Sequence, residues 1–181
     1  MKKITNQHPG PMRPILVITV MFVLFSVVYL PCFSASGAKK PNFSGTWVLN
    51  ESRSDFGEYG RYWAPNKLII VQKGKKLTIE RYAPGPSGEE TSFKAKYTMD
   101  GKECENSVPD QFKSITRINW LEDNKGFKSD SKINMPFQGQ EMEIQSIEIY
   151  KFDEEGKSLV IESTAINEYG EFKVTFVLDK E

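Results

Sequence analysis

Residues 172–178 read Phe-Lys-Val-Thr-Phe-Val-Leu, a segment in which apolar and polar residues largely alternate. Lys173 and Thr175 separate its apolar residues. One face therefore carries the apolar set Phe172, Val174, Phe176 and Leu178. Residues 93–99 repeat the pattern, with an apolar face of Phe93, Ala95, Tyr97 and Met99. A period of two residues predicts strands with one buried and one wet face, and hence antiparallel pairing.

Turn signals punctuate these strands at regular intervals, mostly ten to fifteen residues apart. They lie near residues 73–75, 84–88, 100–101, 123–126, 136–139, 154–156 and 169–170. The strands predicted between them are 45–50, 67–73, 76–83, 91–99, 102–107, 113–121, 126–134, 142–152, 158–166 and 171–179. The shorter pairs Leu77 with Ile79, Ile147 with Ile149 and Leu159 with Ile161 are each expected to share a buried face. Residues 54–62 are predicted to form a short helix or an ordered loop.

Ten short strands leave edges that must be protected, and closure into a barrel protects them most fully. The predicted fold class is therefore all-β, an antiparallel up-and-down β-barrel of about 8–10 strands. An open, strongly curved half-barrel is the alternative.

The first 38 residues differ from the rest in composition. A polar segment with Lys2, Lys3 and Arg13 precedes an apolar run over residues 15–30, and small residues follow at 34–38. These are the parts of a secretory signal peptide, so residues 39–181 are predicted to form an exported domain, periplasmic or extracellular. The alternative is an uncleaved membrane anchor, although about 16 apolar residues are fewer than the roughly 20 that span a bilayer. The residue before Cys32 is proline, which disfavours a lipid-attachment site.

The remaining 143 residues suit one domain, and their composition excludes several functions. They carry 21 basic and 24 acidic residues, interspersed, for a net charge of about −3, so nucleic acid is not expected as a partner. His8 is the one histidine and lies in the leader. No Ser-His-Asp or Cys-His pair and no histidine-bearing metal site can therefore form, and we expect neither an enzyme, a cofactor nor a metal. Cys104 has no partner for a disulfide within the domain and is expected to be a partly buried thiol.

Residues 42–49 read Asn-Phe-Ser-Gly-Thr-Trp-Val-Leu and open the domain. This segment resembles the Phe-x-Gly-x-Trp first strand of lipocalins and fatty-acid-binding proteins, and the Asp55-Phe56 that follows is similar to the residues before their short helix. The turn at residues 97–103, Tyr-Thr-Met-Asp-Gly-Lys-Glu, resembles that of small exported bacterial proteins of unassigned role. The resemblance implies a ten-strand barrel in which Gly45 allows close approach and Trp47 plugs one end.

The chain also departs from the fatty-acid-binding pattern. That family fixes a ligand carboxylate with an Arg-x-Tyr pair on the last strand, whereas the corresponding positions here are Phe176 and Leu178. A fatty-acid head-group site is therefore not implied, and only residues 54–62 remain for a helical lid.

Two functional hypotheses follow from these features. The first is an exported, non-catalytic barrel that binds a small apolar ligand. Its candidate ligand-binding residues are Trp47, Phe93, Tyr97, Met99, Arg117, Phe172 and Phe176, with Arg117 relevant only if it points inward. The second is a solid-core module that binds another envelope protein. The candidate portal or interaction loop contains Tyr59, Arg61, Tyr62 and Trp63. Large aromatic residues can either fill a barrel or line a pocket, so the sequence leaves both open.

Overall fold

A computed structural model describes residues 39–58, 61, 64–85, 88–108, 111–137 and 139–181. The predicted leader, together with Tyr59, Tyr62 and Trp63 of the predicted loop, lies outside these residues. Within the described part, no helix is both long and apolar enough to span a membrane.

The described chain is built from ten β-strands and one short 3-10 turn at Glu51–Arg53. The strands are β1 (Gly45–Leu49), β2 (Lys67–Lys73), β3 (Lys76–Pro84), β4 (Glu90–Thr98), β5 (Glu103–Val108), β6 (Phe112–Trp120), β7 (Gly126–Phe137), β8 (Gln140–Phe152), β9 (Ser158–Asn167) and β10 (Gly170–Lys180). All ten predicted strands are confirmed, because alternation and turn residues point to the same boundaries.

Each strand pairs antiparallel with its neighbours in the order β4-β3-β2-β1-β10-β9-β8-β7-β6-β5. The first and last strands of the chain pair in the middle of this order, with Leu49 opposite Leu178, and the sheet curves into a nearly closed barrel whose two end strands are β4 and β5. The up-and-down barrel prediction is therefore confirmed. Backbone pairing is interrupted at one place among the described strands, between β4 and β5.

Side chains hold that interruption, which we call the seam. The Asn106 side chain accepts a hydrogen bond from the Lys96 amide at 2.9 Å and donates one to the Lys96 carbonyl at 3.2 Å. Next to it, the Thr98 amide donates to the half-buried Cys104 sulfur at 3.2 Å. Polar side chains thus complete hydrogen bonds that a further strand would otherwise make.

The turns after β2, β4, β6 and β8 lie at one end of the barrel, the closed end, which an aromatic core fills. Phe43 stacks on Phe152 at 4.7 Å between ring centroids and meets Phe127 edge-on at 5.0 Å. Trp47 is 1% exposed, and its indole N–H donates to the Phe43 carbonyl at 3.0 Å. A Cβ on Gly45 would lie 3.1 Å from Lys180 Cε and 3.5 Å from the indole nitrogen, so the close approach expected at this glycine is found.

The segment after the 3-10 turn runs along β10 as an ordered loop. Asp55 and Thr175 exchange backbone hydrogen bonds of 2.8 Å, and the Phe56 ring lies 6.3 Å from the Phe176 ring. Arg61 pairs with Glu51 and donates to the Asn66 side chain at 2.6 Å. Because this segment covers the outer face of β10 around residues 175–177, the outward-facing Val177 is buried as well.

The expected facing of β8 is wrong. Register places Tyr150 opposite the buried Ile161, so Tyr150, Glu148 and Ser146 point inward while Ile147 and Ile149 point outward. The sequence reading assumed that the apolar member of each alternating pair faces the core. Between residues 145 and 149 of β8, the polar residues Ser146 and Glu148 face the core instead.

Candidate ligand-binding site

Above the aromatic core the inner wall changes from large to small side chains. Two adjacent rows run across β6, β7, β8 and β9. They are Ile118, Ser129, Glu148 and Ser163, and then Thr116, Ser131, Ser146 and Ala165. An eight-stranded barrel is just wide enough for side chains to fill, so in this ten-stranded barrel the small residues of the second row, with Ser129 and Ser163 of the first, leave more interior space than large residues would. Ser131, Ser146, Ser163 and Ala165 are accordingly only half-buried although they face inward.

Apolar side chains surround this space towards the opposite end, which we call the mouth. They are partly exposed and comprise Phe93, Phe112, Ile133, Ile144, Phe172 and Val174. Phe93 of β4 meets Phe112 of β6 at 4.7 Å between centroids, so their rings bridge the seam near the mouth. The interior thus has a packed aromatic end and an accessible upper half with an apolar wall.

A charged pair crosses the interior between these two halves. Arg81 of β3 donates from Nη2 to Oε1 of Glu148 on β8 at 2.8 Å. Four strands separate β3 from β8 in the sheet order, so the pair spans the barrel and does not follow its wall. The Tyr150 hydroxyl donates to the other Glu148 oxygen at 2.7 Å. The Arg81 and Glu148 side chains are 29% and 16% exposed, which means that both remain accessible from the upper half.

Burial and the Glu148 charge both disfavour phenolate near this pair. Desolvation, followed by the Glu148 carboxylate, raises the pKa of Tyr150 well above 10. Burial and then the Glu148 carboxylate also raise the pKa of Tyr97, while the Arg81 charge lowers it by a smaller amount. Both tyrosines are therefore neutral hydroxyl donors at any physiological pH.

Several polar groups facing the upper half make no hydrogen bond within the described part of the chain. They are the hydroxyls of Tyr97, Ser129, Ser146 and Ser163. Among the described residues no buried side-chain nitrogen or oxygen lacks a partner, so these hydroxyls keep contact with solvent, which can supply their hydrogen bonds.

The structure separates the predicted site residues into three groups. Trp47, Met99 and Phe176 are buried in the core, Tyr97 is partly buried against that core, and Phe93 and Phe172 lie partly exposed on the inner wall. Arg117 is exposed on the outer face and pairs with Glu103, so it does not have the inward orientation that a ligand role required. Arg61 lies in the loop beside β10. Its predicted companions Tyr59, Tyr62 and Trp63 lie outside the described residues.

Sequence reasoning missed Arg81 and Glu148. A signal existed for the arginine, because Arg81 continues the period of Leu77 and Ile79 and so faces inward with them. For Glu148 the flanking isoleucines gave the opposite indication. Its pairing with Arg81 could not be read from local sequence, since the two lie 67 positions apart in the chain.

A second polar cluster, also unforeseen, lies on the outer surface near the closed end. Arg53 contacts Asp153 and Asp179, each at 3.2 Å, and Ser158 donates to Asp179 at 2.7 Å. Asp153 accepts from the amides of Ser158 and Lys157 at 3.2 and 2.8 Å. Led by the Ser158 amide, these bonds lower the pKa of Asp153 from 3.8 to about 2.

Replacing Asp153 by asparagine is expected to lower the melting temperature by a few degrees at pH 7, because the amide loses the charge-assisted bond with Arg53. A carboxylate with a depressed folded pKa stabilises the fold fully above about pH 4, and the effect is lost as the pH falls towards 2. Melting curves of both proteins should therefore converge in acid. Glu154→Gln, an exposed change in the same turn, is the control. If the difference in melting temperature between the wild type and Asp153→Asn is the same at pH 7 and pH 2.5, the stabilising role of the Asp153 carboxylate is contradicted.

The strand order, the β1–β10 pairing and the seam between β4 and β5 define a ten-stranded, nearly closed, antiparallel up-and-down barrel. Among solved structures, the chain is similar to zebrafish ileal bile acid-binding protein complexed with cholic acid. The two are 17% identical with a TM-score of 0.48, over 77% of this chain and 98% of that chain. No protein-family model matches the sequence, and the search of curated proteins gave no match.

Proposed function

We propose that this protein binds a small, largely apolar molecule in the upper half of its barrel, without catalysis and outside the cytoplasm. The observation that carries the proposal is the change in inner wall. Above the buried aromatic end lie a row that includes Ser129 and Ser163 and a row made only of serine, threonine and alanine, and the residues above them remain partly accessible. A protein that needed only a solid core would continue large apolar residues to the mouth.

Burial of apolar ligand surface supplies the driving force in this proposal. The partly exposed wall residues Phe93, Phe112 and Phe172 would lose their remaining contact with water, at about 25 cal/mol per Å² of apolar surface. Export is inferred from the composition of residues 1–38, and the absence of catalysis from the lack of a histidine in residues 39–181.

Native mass spectrometry of the protein, purified from its own source without detergent, tests the proposal. We expect an additional mass of a lipid-sized molecule that is lost on denaturation. If the protein instead shows its bare mass, and this mass is unshifted after incubation with mixed lipids, the binding proposal fails. An interaction module of the cell envelope then becomes the better explanation.

A further inference from the structure

We infer that the upper half of the barrel selects an amphipathic molecule whose polar group is uncharged and hydrogen-bonding, such as a long-chain alcohol or a monoacylglycerol, over one with a free carboxylate. This inference rests on the proposed function and names its ligand class.

The first step concerns charge. In the upper half of the barrel, the charged side chains that point inward from the described strands are Arg81 and Glu148. They lie 2.8 Å apart, so the single cation available to an anionic ligand is already neutralised. The Arg-x-Tyr positions of the last strand do not replace it, because Phe176 and Leu178 are buried apolar residues.

The second step concerns the cost of a carboxylate. A ligand carboxylate on Arg81 must either share the guanidinium with Glu148, at close range to a like charge, or displace Glu148 from it. Displacement leaves the Glu148 carboxylate inside the barrel with the Tyr150 hydroxyl as its remaining partner. Both outcomes cost free energy that a neutral ligand does not incur.

An uncharged polar group of a ligand can form hydrogen bonds in the upper half of the barrel. The neutral Tyr97 hydroxyl can donate to a ligand oxygen, and the hydroxyls of Ser146 and Ser163 can donate or accept. A hydroxyl or ester group satisfies these partners without disturbing the charged pair. The apolar chain would then lie against the phenylalanine wall towards the mouth.

The test compares ligands with the same chain at pH 8, where palmitate is ionised. Dissociation constants of hexadecanol, 1-palmitoylglycerol and palmitate are measured by displacement of the uncharged fluorophore N-phenyl-1-naphthylamine. The protein is purified from its own source without detergent. We expect at least one of the two neutral ligands to bind at least tenfold more tightly than palmitate.

The Glu148→Gln variant, expressed in the same source, tests the cause. It keeps the side-chain shape but leaves the Arg81 charge uncompensated, so palmitate affinity should rise at least tenfold and the preference for neutral ligands should shrink or reverse. Glu143→Gln, an outward, 62%-exposed change on the same strand, should leave the ratio unchanged.

The outcomes separate the inference from the proposed function. Wild-type protein that binds palmitate as tightly as both neutral ligands, or a folded Glu148→Gln variant with an unchanged ratio, overturns the inference while binding itself stands. Absence of binding by all three molecules overturns both. If Glu148→Gln fails to fold, the ratio of the palmitate dissociation constant to those of the neutral ligands in the wild type decides whether the inference holds.

Discussion

Replacing Trp47 by alanine is expected to lower the free energy of unfolding by about 3–5 kcal/mol. The side chain is almost fully buried among Phe43, Phe152 and their neighbours, so its removal leaves a cavity that a closed barrel cannot collapse to fill. The Phe43 carbonyl also loses its hydrogen bond from the indole. Urea denaturation followed by circular dichroism measures the loss.

Val48→Ala is the matched control for that measurement. Val48 is the next residue of the same strand, but it points outward and is 41% exposed. Its truncation should cost less than about 1 kcal/mol, mainly through strand propensity. Similar losses for the two variants would contradict the description of Trp47 as the plug of the closed end.

The second large effect is expected at the pair that crosses the barrel. Arg81→Met and Glu148→Leu should each destabilise the protein by about 1–3 kcal/mol, because each leaves the opposite charge in the interior without its partner. This range is lower than for a fully buried pair, since both side chains retain contact with water. The double variant should lose much less than the sum of the two, because no unpaired charge remains.

A double-mutant cycle from denaturant unfolding gives the coupling energy of this pair. The control cycle uses Lys132 and Glu143, an outward pair 4.0 Å apart with both side chains mostly exposed, where coupling of about 0.5 kcal/mol or less is expected. A coupling between Arg81 and Glu148 as small as that of the control would show that the two charges do not depend on each other.

The information that locates the strands is local to the sequence. Strand positions could be predicted because alternation such as that of residues 172–178 is a property of neighbouring residues, and each turn signal bounds it. The plug role of Trp47 was implied by the resemblance of residues 42–49 to the first strand of lipocalins and fatty-acid-binding proteins. These features need no knowledge of what lies across the barrel.

The candidate site depended on information that is not local. Whether Arg117 or Ile118 faces inward is decided by register against β5 and β7, and the structure places Ile118 inside. Glu148 violates the rule that the apolar member of an alternating pair faces the core. Its inward charge is compensated by Arg81, which belongs to a strand distant in the sequence. A polar residue on a buried face is thus the exception that sequence periodicity cannot resolve without the fold.

At the seam between β4 and β5, the circumference of the barrel depends on side-chain hydrogen bonds and not on a main-chain ladder. The amide group of Asn106 presents one acceptor and one donor to Lys96, as a backbone peptide group would. The circumference of the cylinder is therefore fixed by main-chain ladders everywhere among the described strands except at this clasp. The circumference of the barrel can change at the seam when a few side-chain hydrogen bonds break, while the main-chain ladders between the other strands stay intact.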